Sequence, residues 1–255
     1  MVKDWRDYKD LDYLIIIPSK GRSKKISRVE EIFPNAVLLI NEDELEDYKN
    51  TTFDILTHKK TKGFGSVLNE IFNQCKKHNI RYSAVFDDDK HFFGSLVGNR
   101  QRMFTPEQIE QSIVNGCQQM EDLDLGIYLF STCSSIIKYQ QNEPFKVGFS
   151  LPQGAWIFRN EYMGKYNETL HYYDDFDFCM DYIKKHKFML IENRTLCLSK
   201  GELNVGGCNS FRTSSNEKYS HNYIKKKWGD YANFVTNSSG TKRPTAVVQF
   251  RQNTK

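Results

Sequence analysis

The segment Tyr13-Leu14-Ile15-Ile16-Ile17-Pro18 is apolar without a break and carries a run of β-branched residues. Such a run leaves no polar face for solvent, so it suits a strand covered on both sides, as in a parallel sheet flanked by helices. The residues that follow alternate in the way such a sheet requires. Ile26, Val29, Ile32 and Phe33 share a helical spacing between Lys25 and Phe33, and Pro34-Asn35 stops it. Ala36 to Ile40 reads as a second strand, Glu42 to Tyr48 as a short acidic helix and Phe53 to Leu56 as a third strand. After the basic loop Thr57 to Lys62 and the turn Gly63-Phe64-Gly65, the residues Val67, Leu68, Ile71, Phe72 and Cys75 mark one face of a helix that reaches His78-Asn79. Tyr82 to Phe86 is the fourth strand. This β-α-β alternation predicts an α/β fold with a Rossmann-like half, whose ligands lie at the carboxyl ends of its strands.

The fourth strand runs straight into Asp87-Asp88-Asp89. Three adjacent carboxylates repel one another, and a hard divalent cation bound through oxygen would relieve that repulsion. A cation at a strand terminus usually holds phosphate. The plainer reading is a solvated acidic turn in which an Asp caps the next helix. The first strand ends in Ser19-Lys20-Gly21-Arg22, where glycine permits close backbone approach and the basic groups attract phosphate. An exposed basic turn is the alternative there.

The second half is less regular. A helix with a Thr105-Pro106-Glu107 start runs to about Asp122, and strands are predicted at Gly126 to Phe130 and near Ser135 to Tyr139, which makes the sheet mixed. Phe149 to Phe158 reads as a loop entering another strand. Asp174-Asp175-Phe176-Asp177 opens a helix ending near His186, and Phe188 to Ile191 is a further strand. Ser199 to Tyr219, rich in Gly, Asn and Ser, reads either as a mobile lid or as a disordered loop. A helix over Asn222 to Trp228 and a frayed tail follow.

Net charge is +4, unevenly placed: from Lys200 onward there are ten Lys/Arg against three Asp/Glu. That basic segment could meet an anionic donor, a nucleic acid or water. No stretch approaches the roughly 20 apolar residues needed to cross a bilayer, so no membrane partner is expected. Met1-Val2-Lys3-Asp4-Trp5-Arg6 lacks the apolar core of a signal peptide, and the expected compartment is the cytoplasm, that of the host if the protein is viral. The six cysteines show no CxxC or close Cys/His pairing, which predicts free thiols rather than a zinc site or a disulfide framework.

In their order these pieces resemble the GT-A class of nucleotide-sugar glycosyltransferases: Ile17 to Arg22, the Gly65 to Asn69 turn and helix, the strand into Asp87-Asp88-Asp89, and Asp174-Asp175-Phe176-Asp177. Within the class, Gly206-Gly207, Arg212 and Lys227-Trp228-Gly229 look most like the phage TET-associated glycosyltransferases, which decorate hydroxymethylated bases in DNA. The resemblance implies a single GT-A-type domain with a nucleotide-sugar-binding half over about 12–104, a mixed-sheet acceptor half over about 105–235 and a tail over 236–255. It implies metal-dependent transfer, with Mn²⁺ or Mg²⁺, from a nucleotide-sugar, expected to be a UDP-sugar, to a hydroxyl acceptor. Hydroxymethylated pyrimidine in DNA is the acceptor expected at the family level.

By the same resemblance Asp89 binds metal directly, Asp87 supports metal or ribose, and Asp88 orients the donor. Pro18, Ser19, Lys20, Gly21 and Arg22 contact base and phosphates, Gly65 and Asn69 contact the donor, and Lys200 and Arg212 clamp the diphosphate. His221 is a candidate nitrogen ligand to the metal. Asp175 matches the general base of inverting members, with Asp174 and Asp177 expected to raise its proton affinity; helix N-capping is the plainer reading of that acidic turn. Trp156 and Trp228 are expected to pack rather than to bind sugar. Competing readings are a nucleic-acid-binding module without catalysis and a nucleotidyltransferase, the latter disfavoured because Pro18-Ser19-Lys20-Gly21-Arg22 holds a single glycine. A metal nuclease would not account for the first-strand turn or the glycine-rich loop.

Overall fold

In the computed structural model the described residues are all but 60–62, 99, 133–142, 152–153, 200–212, 237–241 and 247–255. Strands β1 (Tyr13–Pro18), β2 (Val37–Asn41), β3 (Asp54–His58) and β4 (Tyr82–Phe86) pair in parallel in the order β3-β2-β1-β4. Every residue of β2 and β4 is buried, as are the four central residues of β1. Alternate side chains therefore build two cores, one on each face of the sheet. On one face Ile15, Ile17, Leu38, Ile40 and Phe86 pack with Val29 and Ile32 of α1 (Ser27–Ile32) and Ile109 and Ile113 of α3 (Pro106–Asp122). On the other, Leu14, Ile16, Leu39 and Val85 pack with Leu68, Ile71 and Phe72 of α2 (Phe64–Lys77) and with Phe178 and Tyr182 of α4 (Asp174–His186).

Beyond β4 the sheet turns mixed, as predicted. It continues through β9 (Ala155–Arg159), β7 (Ile127–Ser131), β10 (Met189–Ser199), β5 (Lys90–Val97) and β6 (Arg100–Met103), while β8 (Phe145–Gly148) pairs with β10. Strand β9 is antiparallel to β4 and to β7, and β5 is antiparallel to β10. The starts of β9 and β5 thus meet the carboxyl ends of β4 and β10 along one edge, which places the loops of both halves together.

Several elements differ from expectation. The hairpin β5–β6 directly follows the aspartates and was not foreseen; all four residues of β6 are exposed, so no apolar alternation announces it. By sequence it belongs to 12–104, yet it joins the sheet beside β10 rather than beside β4. Strand β10 is longer than Phe188 to Ile191, running on through Glu192 and Arg194, because Glu192 is buried with its carboxylate accepting from Tyr128 Oη (3.2 Å) and from the Arg194 backbone (2.8 Å). Helix α5 (Ser214–Trp228) starts well before Asn222, capped by Thr213, whose hydroxyl accepts from the Asn216 backbone at 3.2 Å. Part of the supposed loop is therefore helix.

In place of a frayed end, β11 (Ala232–Thr236) pairs with β12 (Lys242–Ala246) in a two-stranded sheet. The strand predicted near Ser135 to Tyr139 and the pair Gly206-Gly207 lie outside the described residues. Cys75, Cys117, Cys179 and Cys197 are buried free thiols. No helix among the described residues is long and apolar enough to cross a membrane.

Candidate active site

Pro18 closes β1, and the chain turns at once. The Ser19 backbone donates to Leu39 O at 3.0 Å, which holds the turn against β2. Its hydroxyl lies 2.8 Å from Tyr48 Oη and donates to Asp88 Oδ2 at 2.6 Å. The Arg22 backbone donates to Tyr48 Oη at 3.0 Å, and the Arg22 guanidinium pairs with Asp88 Oδ1. Gly21 takes φ +64°, a left-handed conformation that glycine adopts without steric cost. Both oxygens of Asp88, a residue only 4% exposed, are therefore committed inside the fold. Burial pushes its carboxyl upward, and Ser19 and Arg22 pull it back down. Asp88, Ser19 and Arg22 lock the β1 turn to the β4 turn. Lys20 sits half-buried beside them.

Asp87 lies on the other side. Its backbone donates to Gly154 O at 3.0 Å, and Gly154 takes φ +67°. A Cβ on Gly154 would stand 1.7 Å from Asp87 Oδ2, so only glycine leaves room for this carboxylate. Burial raises the Asp87 carboxyl, the Lys90 charge opposes that rise, and Asp89 adds to it. Lys90 is 1% exposed, and its ammonium donates to Ser199 Oγ at 2.9 Å, tying the aspartate turn to the end of β10.

Asp89 differs from both. Its Oδ1 is buried and has no hydrogen-bond partner, a condition rare for a polar atom unless a ligand completes it. A hard cation fits that oxygen, since carboxylate is the donor type such ions prefer. Among the described residues no three or more His, Cys, Asp or Glu side chains are grouped to hold a metal ion. The expected set of Asp87, Asp89 and His221 is not assembled: the His221 ring lies tilted by 40° against Phe234 of β11, with centroids 3.9 Å apart, and forms no such group with the aspartates.

The second acidic turn opens α4. Tyr173 precedes it in a left-handed conformation (φ 62°), and Asp174 and Asp175 occupy the first turn, where the helix dipole favours negative charge. Asp177 does not support Asp175 as expected. Two residues along an α-helix lie about 200° apart around its axis. The Asp177 carboxylate points to α5, accepting from Trp228 Nε1 at 2.8 Å and from Lys227 Nζ at 3.0 Å, while Lys227 also reaches Asp181 at 2.6 Å. The Lys227-Trp228 pair that carried part of the family resemblance thus works as a clamp between α4 and α5. Trp156 is buried in the sheet core, so both tryptophans pack, as expected.

Gly65 and Asn69 converge on Tyr166 of the segment before α4. The Tyr166 backbone N–H donates to Asn69 Oδ1 at 2.8 Å, and Asn69 Nδ2 donates to Tyr166 O at 3.1 Å and to Glu168 Oε1 at 2.8 Å. A Cβ on Gly65 would come within 3.1 Å of the Tyr166 side chain. Both residues thus contact Tyr166. Lys200 and Arg212 lie outside the described residues.

Sequence reasoning missed Tyr48, Lys90, Gly154 and Tyr166. Lys90 had one legible signal, a cation directly after three aspartates at the head of the apolar run His91-Phe92-Phe93. The other three owe their roles to contacts across the fold.

Comparison with known proteins follows this geometry. A crystal structure of a mycobacterial protein aligns over 95% of this chain and 85% of its own with a TM-score of 0.52 and 7% identity, which speaks to fold alone. The structure of GalNAc-T7 with UDP, GalNAc and Mn²⁺ aligns over 87% of this chain at 10% identity and a TM-score of 0.49. The chain covers 49% of that enzyme's length. Among curated protein sequences none matches. The model of the TET-associated glycosyltransferases matches residues 13–207, a span that takes in β1 through β10 with both acidic turns, and the chain belongs to that family of enzymes.

Proposed function

We propose that this glycosyltransferase moves a sugar from a UDP-sugar to the hydroxyl of a 5-hydroxymethylated pyrimidine in DNA, with Mn²⁺ or Mg²⁺ held at Asp89. The observation that carries the reading is Asp89 itself, whose Oδ1 is buried without a partner at the end of β4, one residue beyond a carboxylate locked to the β1 turn. When bound, the cation supplies positive charge to the departing diphosphate.

The chain's own residues do the rest. The turn over Ser19 to Arg22 lies beside Asp89 through the Asp88 lock, and Lys20 and the Gly21 backbone contribute its approach to the donor. Asp87, pressed against Gly154, supports the ribose side. Asp175 accepts the proton of the acceptor hydroxyl as that oxygen bonds to the anomeric carbon. The bond from that carbon to the diphosphate breaks, UDP leaves with the electron pair, and Asp175 ends protonated. Residues of about 12–104 form the donor side, with β5–β6 set apart, and residues of about 105–235 the acceptor side. Lys200 and Arg212 clamp the diphosphate. The DNA acceptor is supported by the family and by the basic excess after Lys200.

The test is incubation of hydroxymethylated DNA with a panel of nucleotide sugars and Mn²⁺, read by mass spectrometry and by UDP release. A hexose or pentose mass gain together with UDP release is expected. UDP release with other hydroxyl acceptors but no gain on DNA would sink the acceptor. Transfer undiminished by a chelator would sink the role of the cation.

A further inference from the structure

Tyr166 is 1% exposed, and its ring stacks on Phe178 of α4 with centroids 4.0 Å apart and planes 8° from parallel. Its backbone is pinned at both ends by the Asn69 amide, and Gly65 leaves room for the ring. Three constraints therefore fix where the phenol points. Its hydroxyl is buried and makes no hydrogen bond of normal length, although a fold usually satisfies such a group. Burial holds the phenol proton well above its usual range, and Asp175, Cys179 and Asp174 add to that, Asp175 being near enough to act as a hydrogen-bond acceptor.

We infer that Tyr166 is the positioning residue for Asp175, its hydroxyl closing onto the carboxylate and aiming it at the acceptor. The inference rests on the reading of Asp175 as the base. A phenol suits this task because it donates one hydrogen bond without carrying charge. A lysine there would neutralise the carboxylate and weaken it as a base, whereas an apolar group would leave it free to rotate. Among the groups near Asp175 are Asp174 and Cys179 from its own helix and Tyr166 from the preceding segment, and burial together with both aspartates pushes the Cys179 thiol upward.

The experiment compares Tyr166→Phe with the parent enzyme, since this change removes one oxygen and keeps the ring stack. Expected are a fall in kcat of about 10-fold, an unchanged KM for donor, an unchanged thermal midpoint and an acid limb of kcat moved to higher pH. The sign follows because the lost donor favoured the charged carboxylate. Gly65→Ala, whose new Cβ would sit 3.1 Å from the ring, should cause a smaller fall in the same direction and add nothing in the double variant. A Tyr166→Phe enzyme with the parent's kcat and pH profile overturns the inference. Asp175→Asn separates the two claims: if it keeps the parent rate, both fail, and if it loses rate while Tyr166→Phe does not, the Tyr166 assignment alone fails.

Discussion

The turn Asp87-Asp88-Asp89 and the turn Asp174-Asp175-Phe176-Asp177 look alike in sequence, each placing three carboxylates within four residues, and the fold treats them alike in one respect. Each gives up one carboxylate to hold distant elements together. Asp88 is locked by Ser19 and Arg22, and Asp177 by Lys227 and Trp228. The difference lies in what surrounds the others. Asp87 and Asp89 sit at a strand end beside the buried cation Lys90, with one Asp89 oxygen lacking a partner. Asp174 and Asp175 sit on a helix terminus, where peptide dipoles favour their charge. One residue type is thus set in two backbone environments, a strand end and a helix N-terminus.

Breaking the first turn should have the largest effect. Asp89→Ala is expected to lower transfer by on the order of 10³-fold while leaving the thermal midpoint intact, since its unpartnered oxygen supports no internal contact. Steady-state UDP release beside a melting curve checks both halves of that statement. Gly154→Ala attacks the same turn from outside: its Cβ must displace the Asp87 carboxylate, and a loss of about 10²-fold in kcat is expected, with weaker Mn²⁺ binding in a direct titration. Parent-like Mn²⁺ affinity would show that Asp87 has no part in the cation site.

The structural carboxylates respond in stability. Arg22→Met leaves Asp88 buried with Ser19 as its remaining partner, and a loss of about 3 kcal/mol is expected from denaturant unfolding. Lys227→Met leaves Asp177 with the Trp228 indole, and because Lys227 is partly exposed the loss should be smaller, about 1 kcal/mol. Only the Arg22 change should raise the donor KM, because only it deforms the β1 turn. Equal donor KM values for the two variants would contradict that division.

The smallest effect is in pH. Burial lowers the Lys227 ammonium, but Asp181 and Asp177 outweigh it and hold the group above its ordinary value. A raised basic group contributes stability that is complete below its unfolded pKa, about 10.4, and is lost as pH climbs through the folded value. Thermal melts should therefore show a decline above about pH 10 that Lys227→Met flattens.

Much of the scaffold was legible because it rests on local signals. The apolar runs of β1, β2 and β4 read as covered strands, and α3 was announced by Thr105 and Pro106, with Thr105 and Gln108 closing a capping box in the structure. The hairpins β5–β6 and β11–β12 were not legible, since strands such as Arg100–Met103 are held by backbone pairing with a neighbour rather than by their own side chains. Of the site, both acidic turns could be found in the sequence. The division of labour within them could not, because it depends on partners 50 or more residues away, such as Lys227 and Trp228 for Asp177.

By itself the sequence determined an alternating α/β chain with carboxylates at two element ends, because burial patterns and charge are written into neighbouring residues. Only the tertiary structure decided that Asp88 and Asp177 brace the fold while an Asp89 oxygen is left without a partner. It also brought Gly65 and Asn69 against Tyr166. The physical reason is the same in both cases: whether a polar atom is satisfied depends on what the fold brings within 3 Å of it, and for Asp88, Asp177 and Tyr166 those partners come from other parts of the chain.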